Sequence, residues 1–195
     1  IGAEARATLT DGFISTAGAG RPGLYNKGET TINGSNLNIQ SNHYGIFNDL
    51  ETADLTITAG TIKGFHGIYN KNGATLNLSG SPEIKGSAKG SVVYLHVPSK
   101  ATDGTVKYNY ITVNGPLNPG GDGTIAVLTK PEPTYGSPVQ FTLEWDESDC
   151  VMDKFVSARA WYRVELTEDG KELQLALIPH DHCKYGHNYP EGENC

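Results

Sequence analysis

The sequence predicts an all-β chain built as a parallel β-helix, a solenoid of coils about 22 residues long, closed at its C-terminal end by an antiparallel β cap. Three observations lead there. A tetrapeptide recurs, Gly23-Leu24-Tyr25-Asn26, Gly45-Ile46-Phe47-Asn48 and Gly67-Ile68-Tyr69-Asn70, each copy 22 residues after the last. Between the copies, apolar residues alternate with Thr, Asn and Ser, the period of a half-buried strand. The 195 residues include 24 Gly and are only 37% hydrophobic, which suits short strands cut by turns better than helices.

Each repeat divides into three strand-like pieces. The tetrapeptide is the first. The second reads Thr30-Thr31-Ile32-Asn33, then Leu55-Thr56-Ile57-Thr58, then Leu76-Asn77-Leu78-Ser79. The third reads Leu37-Asn38-Ile39, then Thr61-Ile62-Lys63, then Glu83-Ile84-Lys85. One coil cannot bury its own apolar face, but a stack of coils can. Stacking sets Tyr25, Phe47 and Tyr69 in one ladder and Leu24, Ile46 and Ile68 in another on the opposite strand face. The pattern leaves open which of the two lines the interior. Asn26, Asn48 and Asn70 form a third ladder, expected at a turn, because Asn tolerates left-handed backbone and can bond to the coil above.

Residues 7–14 resemble the middle and end of an earlier coil, and residues 90–95 a further first piece. Residues 110–113 and 124–128 read as less regular rungs. Pro116, Pro119, Pro131, Pro133 and Pro138 mark loops between strands. Residues 140–145 are a strand candidate, and 149–158 read either as a short helix or as a loop. Residues 161–166 and 173–177 flank Glu168-Asp169-Gly170-Lys171, a hairpin signal. The expected organisation is coils over 1–135, a β cap over 136–178 that covers the open solenoid end, and a Cys/His-rich tail over 179–195. The chain opens at Ile1 within the pattern and is expected to be an excised or processed piece of a longer, modular protein.

The tail holds His180, His182, Cys183, His187 and Cys195. Neutral imidazole and thiolate are zinc ligands, and a structural site needs four. Cys183, His187 and Cys195 supply three; His182, His180 or a Cys beyond the chain supplies the fourth. A Cys183–Cys195 disulfide and a loose tail are the alternatives. Cys150 reads as a buried free thiol.

Residues 5–130, with their Gly-Ile-Tyr-Asn repeats and Gly-Thr-Ile turns, resemble the pectin-lyase-like right-handed β-helix of bacterial surface proteins. The run Ile111-Thr112-Val113-Asn114-Gly115-Pro116-Leu117, then Gly123-Thr124-Ile125-Ala126-Val127 and residues 155–178, resembles the closing part of such domains in large cell-surface proteins of gut Firmicutes. The tail resembles a Cys-His-Cys-x-x-Cys module that follows them, cut before its last Cys. The resemblance implies an extracellular, surface-displayed adhesin or stalk that contacts glycans or host proteins.

Function classes narrow on residue chemistry. A net charge of −7 argues against a nucleic-acid partner, since phosphate neutralisation needs clustered Lys and Arg. No run approaches the apolar length of a membrane-spanning helix. β-Helix lyases and hydrolases need a basic residue beside clustered acids, or paired carboxylates. The acids of the repeats are Glu29, Asp49, Glu51, Asp54 and Glu83, and none recurs at the 22-residue offset with an Arg beside it. The expectation is therefore a non-catalytic module without a required cofactor. Its candidate ligand-binding residues are His43, Tyr44, Phe65 and His66, an aromatic and imidazole stripe at equivalent corners of two coils. Packing of a corner is the competing role. Asn33-Gly34-Ser35 and Asn77-Leu78-Ser79 match the glycosylation sequon, a match that arises by chance in Asn-rich strands.

Overall fold

Alternation in sequence becomes alternation in burial. In Asp54–Ile57 the even steps, Leu55 and Ile57, are buried, while Asp54 and Thr56 remain partly open. The computed structural model describes residues 1–18, 20–87, 92–96, 99–100, 106–107, 109–143 and 151–178. The first coil is β1 (Arg6–Leu9), β2 (Phe13–Thr16) and β3 (Leu24–Asn26). The second is β4 (Glu29–Ile32), β5 (Asn38–Ser41) and β6 (Tyr44–Asp49). The third is β7 (Asp54–Ile57), β8 (Thr61–Lys63) and β9 (His66–Lys71). The fourth is β10 (Thr75–Gly80), β11 (Glu83–Lys85) and β12 (Val93–His96). A short antiparallel pair follows, β13 (Ser99–Lys100) with β14 (Val106–Lys107), and then β15 (Ile111–Leu117) and β16 (Ile125–Lys130).

The coils stack in parallel register. They make three sheets, β1-β4-β7-β10-β15, β2-β5-β8-β11 and β3-β6-β9-β12-β16, in a β-solenoid of about four turns. The interior is a set of aligned aliphatic ladders. Ile32, Ile57 and Leu78 line the first sheet, Ile39, Ile62 and Ile84 the second, and Leu24, Ile46, Ile68 and Val93 the third. Each such side chain contributes about 1.5–3 kcal/mol on full burial. The open question of the two ladders is thereby answered: Leu24, Ile46 and Ile68 face in, and the aromatic ladder faces out.

One expectation needs correction. The ladder asparagines do not occupy left-handed turns; they lie in extended strands with buried, inward amides, and among the described residues the left-handed non-glycine residues are Leu50 and Asn72. The repeated Gly is a matter of space. A Cβ on Gly45 would lie 2.6 Å from the carbonyl oxygen of Gly67 and 2.7 Å from Cγ2 of Ile62, so the coils close only around a bare backbone.

Beyond residue 135 solenoid and cap interleave. Thr142 bridges Ile111 in parallel, and β18 (Phe155–Ser157) pairs in parallel with Ile125–Val127 of β16. Residues 152–154 form a short 3-10 turn just before β18. The predicted hairpin is present: β19 (Tyr162–Leu166) pairs antiparallel with β20 (Leu173–Leu177), and β17 (Val139–Gln140) adds to the other side of β20. At its turn Gly170 takes φ +75°, and Asp169 accepts from Thr167 Oγ1 and the Lys171 amide. Phe141 is fully buried between solenoid and cap, edge-on to Phe155.

Candidate functional site

The third sheet turns a continuous aromatic surface to solvent. With Leu24, Ile46, Ile68 and Val93 inward, the next residue of each strand points out. Tyr25, Phe47, Tyr69 and Tyr94 are therefore in register across four strands. Their centroids are 5.0, 5.1 and 5.0 Å apart and the rings lie within 8°, 7° and 16° of parallel. That separation is the interstrand spacing. Offset stacking of this kind adds about 0.5–1.5 kcal/mol per pair beyond burial. Each ring covers part of the next, so much of what the column offers to solvent is ring edge and hydroxyl.

A second group of rings joins the column. Tyr44 and His66 are paired in register and stack at 5.8 Å. His43 lies 3.7 Å from Tyr44, and Phe65 meets His66 edge-on at 4.8 Å. Tyr44 reaches Phe47 at 5.5 Å and Tyr69 at 4.8 Å, and His66 reaches Tyr94 at 4.8 Å. The four predicted residues thus come together, and with them Tyr25, Phe47, Tyr69 and Tyr94. Sequence reasoning did not place these two groups on one face. In a regular strand, residues 44 and 47 point to opposite sides. Here Gly45 and Ile46 are both buried, which breaks the alternation and brings Tyr44 and Phe47 to the same surface. The repeated Gly before each anchor is the available signal. Of the rings on this face, Tyr25 and Phe65 are 39% and 40% exposed.

Charge is organised beside the rings. The buried Asp49 carboxylate accepts the Tyr25 hydroxyl at 2.5 Å and the Asn72 amide at 2.5 Å. Lys27 sits over the Tyr25 ring and Lys71 over that of Phe47. The bond to Asp49 pushes the Tyr25 hydroxyl up to about 12, and burial, aided by Tyr94, Tyr44 and Asp49, pushes that of Tyr69 up to about 12. Burial also raises Tyr44 and Tyr94. All four phenols are neutral around pH 7, able both to donate and to accept.

Comparison with protein-family models, with curated proteins and with solved structures finds no match.

On the first sheet, Glu29 and Asp54 are register neighbours, and Arg6 pairs with Glu29 at 2.9 Å. This acidic pair escaped the sequence reading because its offset is 25 residues, not 22. Burial and the Glu29 charge raise the Asp54 carboxyl, against hydrogen bonds from Asn77 and Thr56 that lower it. The predicted tail residues His180, His182, Cys183, His187 and Cys195, and Cys150, lie outside the described residues. Among the described residues no three His, Cys, Asp or Glu side chains are grouped to hold a metal ion.

Proposed function

We propose that this solenoid is a non-catalytic adhesion or ligand-display domain of a bacterial cell-surface protein, and that it contacts a glycan or a host protein through the aromatic face of its third sheet. The observation that carries this reading is the eight-ring surface of Tyr25, His43, Tyr44, Phe47, Phe65, His66, Tyr69 and Tyr94. Packing alone does not require so many rings on the outside of a sheet, where Thr and Asn serve on the first sheet. Exposed aromatic edges with neutral hydroxyls offer apolar contact together with hydrogen bonding, the combination that interfaces favour. A solenoid also presents them as a straight, regular track suited to an extended ligand. The resemblance to surface proteins of gut bacteria supports an extracellular setting beside other modules, with zinc as a structural ion for the tail of the intact protein.

The test is an array of glycans and host proteins probed with the purified chain. Saturable binding to one ligand class supports the reading, and a uniformly silent array supports a passive stalk instead. A second reading, glycoside cleavage, is favoured by one observation, the raised Asp54 carboxyl beside the Arg6-paired Glu29. It predicts new reducing ends from a polysaccharide and their loss in Asp54→Asn.

A further inference from the structure

Outward on the third sheet, the position after each ladder asparagine forms a column of its own. Asp49 pairs in register with Lys71, and His96 with Lys130. Because Asn70 pairs with Leu95, Lys71 falls beside His96. Lys27 opens the column next to Asp49, since Asn26 pairs with Asn48. Successive members are one strand apart, about 4.8 Å. Lys27, Lys71 and Lys130 therefore share a column with one carboxylate, in a chain whose net charge is −7. That carboxylate is turned to Tyr25 and Asn72. The carboxylate of Glu132, which acts on Tyr94, accepts the hydroxyl of Tyr162 at 2.7 Å. Among the described residues neither Lys71 nor Lys130 forms an ion pair, and Lys130 is exposed.

We propose that Lys71, His96 and Lys130, beside the hydroxyls of Tyr69 and Tyr94, bind sulfate esters carried on a glycan chain. The proposal rests on the glycan reading above and names the chemistry of the ligand. Ammonium groups are compact point charges with three donors each, suited to a tetrahedral oxyanion. Arg forks carboxylates and tetrahedral oxyanions alike, so what favours a sulfate ester is its three terminal oxygens, against two in a carboxylate, for two ammonium groups and two hydroxyls to share. Burial and the nearby Lys130 and Lys71 hold the His96 imidazolium below its usual range, so at neutral pH His96 supplies a polar ring and the lysines supply the charge. The acidic remainder of the chain repels a polyanion, which confines binding to this column and makes it sensitive to salt.

The test measures binding of the full chain to dextran sulfate, neutral dextran and polygalacturonate. The proposal predicts binding to dextran sulfate that fades at about 0.5 M salt, and weaker binding to the carboxylated and neutral polymers. Lys71→Gln with Lys130→Gln is expected to weaken it about tenfold or more, with an unchanged melting temperature. The matched pair Lys63→Gln with Lys85→Gln, on the second sheet, leaves it intact. Equal loss from both pairs, no loss from the first, or polygalacturonate binding as tightly as dextran sulfate overturns the proposal. A chain that ignores dextran sulfate yet binds neutral glycans or a host protein on the array overturns the sulfate site alone; one that leaves the whole array silent overturns both readings.

Discussion

Asn26 donates its side-chain amide to the carbonyl oxygen of Asn48 at 2.9 Å, across one step of the solenoid and in full burial. Asn48 repeats the gesture to Asn70 at 2.7 Å, and Asn70 ends the run on the main-chain oxygen of Ala74. At the other end Asn26 accepts from Thr30 Oγ1 and the Gly28 amide. The ladder is a closed line of donors and acceptors inside an aliphatic core.

Asn48→Ala is therefore expected to be costly. It takes from Asn26 one of its two acceptors, leaving the Asp54 main-chain oxygen at 3.3 Å, takes a donor from Asn70, and removes the bond to the Thr75 carbonyl. Each buried polar group left unpaired costs about 1–3 kcal/mol, so a loss of about 3 kcal/mol should appear in urea unfolding. A loss below about 1 kcal/mol would mean that water enters and replaces the ladder.

Gly45→Ala should lose about 1–3 kcal/mol through overpacking, because the new methyl meets main-chain oxygen with no flexible side chain to yield. Gly18→Ala, where the nearest atom is the side chain of Arg21 at 3.6 Å, should stay within about 0.5 kcal/mol of the parent. Parallel thermal melts of the two variants check the contrast.

Tyr25 and Tyr69 tie stability to alkaline pH. Their hydroxyls titrate near 10.0 when unfolded and at about 12 when folded. A raised folded value means that the protonated form is favoured by folding. The contribution is complete below pH 10 and disappears as pH climbs towards 12. Absorbance titration of the tyrosinates should show a late-ionising set, and Asp49→Asn should bring Tyr25 forward more than Tyr69, since the Asp49 bond is the largest influence on Tyr25 alone.

Cap and solenoid should unfold together. The Ile111 amide donates to the Phe141 carbonyl, the Phe141 amide to that of Leu173, and the Leu173 amide to Thr142 Oγ1 at 2.7 Å. Phe141→Ala should lower stability by about 3–5 kcal/mol while keeping a single calorimetric transition. Two separated transitions would contradict the coupling.

The fold was legible because the 22-residue spacing of the Gly-x-aromatic-Asn unit demands stacking. The direction of its ladders was not. Leu24 and Asn26 lie two apart and so share a face, yet one is apolar and the other polar, while Tyr25 between them is itself largely apolar. Only the amide ladder, which satisfies Asn in burial, makes Leu and Asn compatible neighbours inside. The site was half legible. His43, Tyr44, Phe65 and His66 were found as corner residues, but the bend at Gly45 that brings Tyr44 over Phe47 follows from close backbone approach, which residue type alone does not encode. The Glu29–Asp54 pair was hidden by unequal turn lengths, which change the offset from coil to coil.

The central claim is that the aromatic face of the third sheet binds the ligand. It is tested most directly by probing the glycan and host-protein array in parallel with the parent chain, with Tyr44→Ala/His66→Ala, and with Thr31→Ala/Thr56→Ala on the outward face of the first sheet, each first checked by its melting curve. The expected result is a saturable signal from the parent, kept by the threonine variant and lost by the Tyr44/His66 variant while that variant remains folded. A ligand held equally by all three folded chains, or released only by the threonine variant, would contradict it.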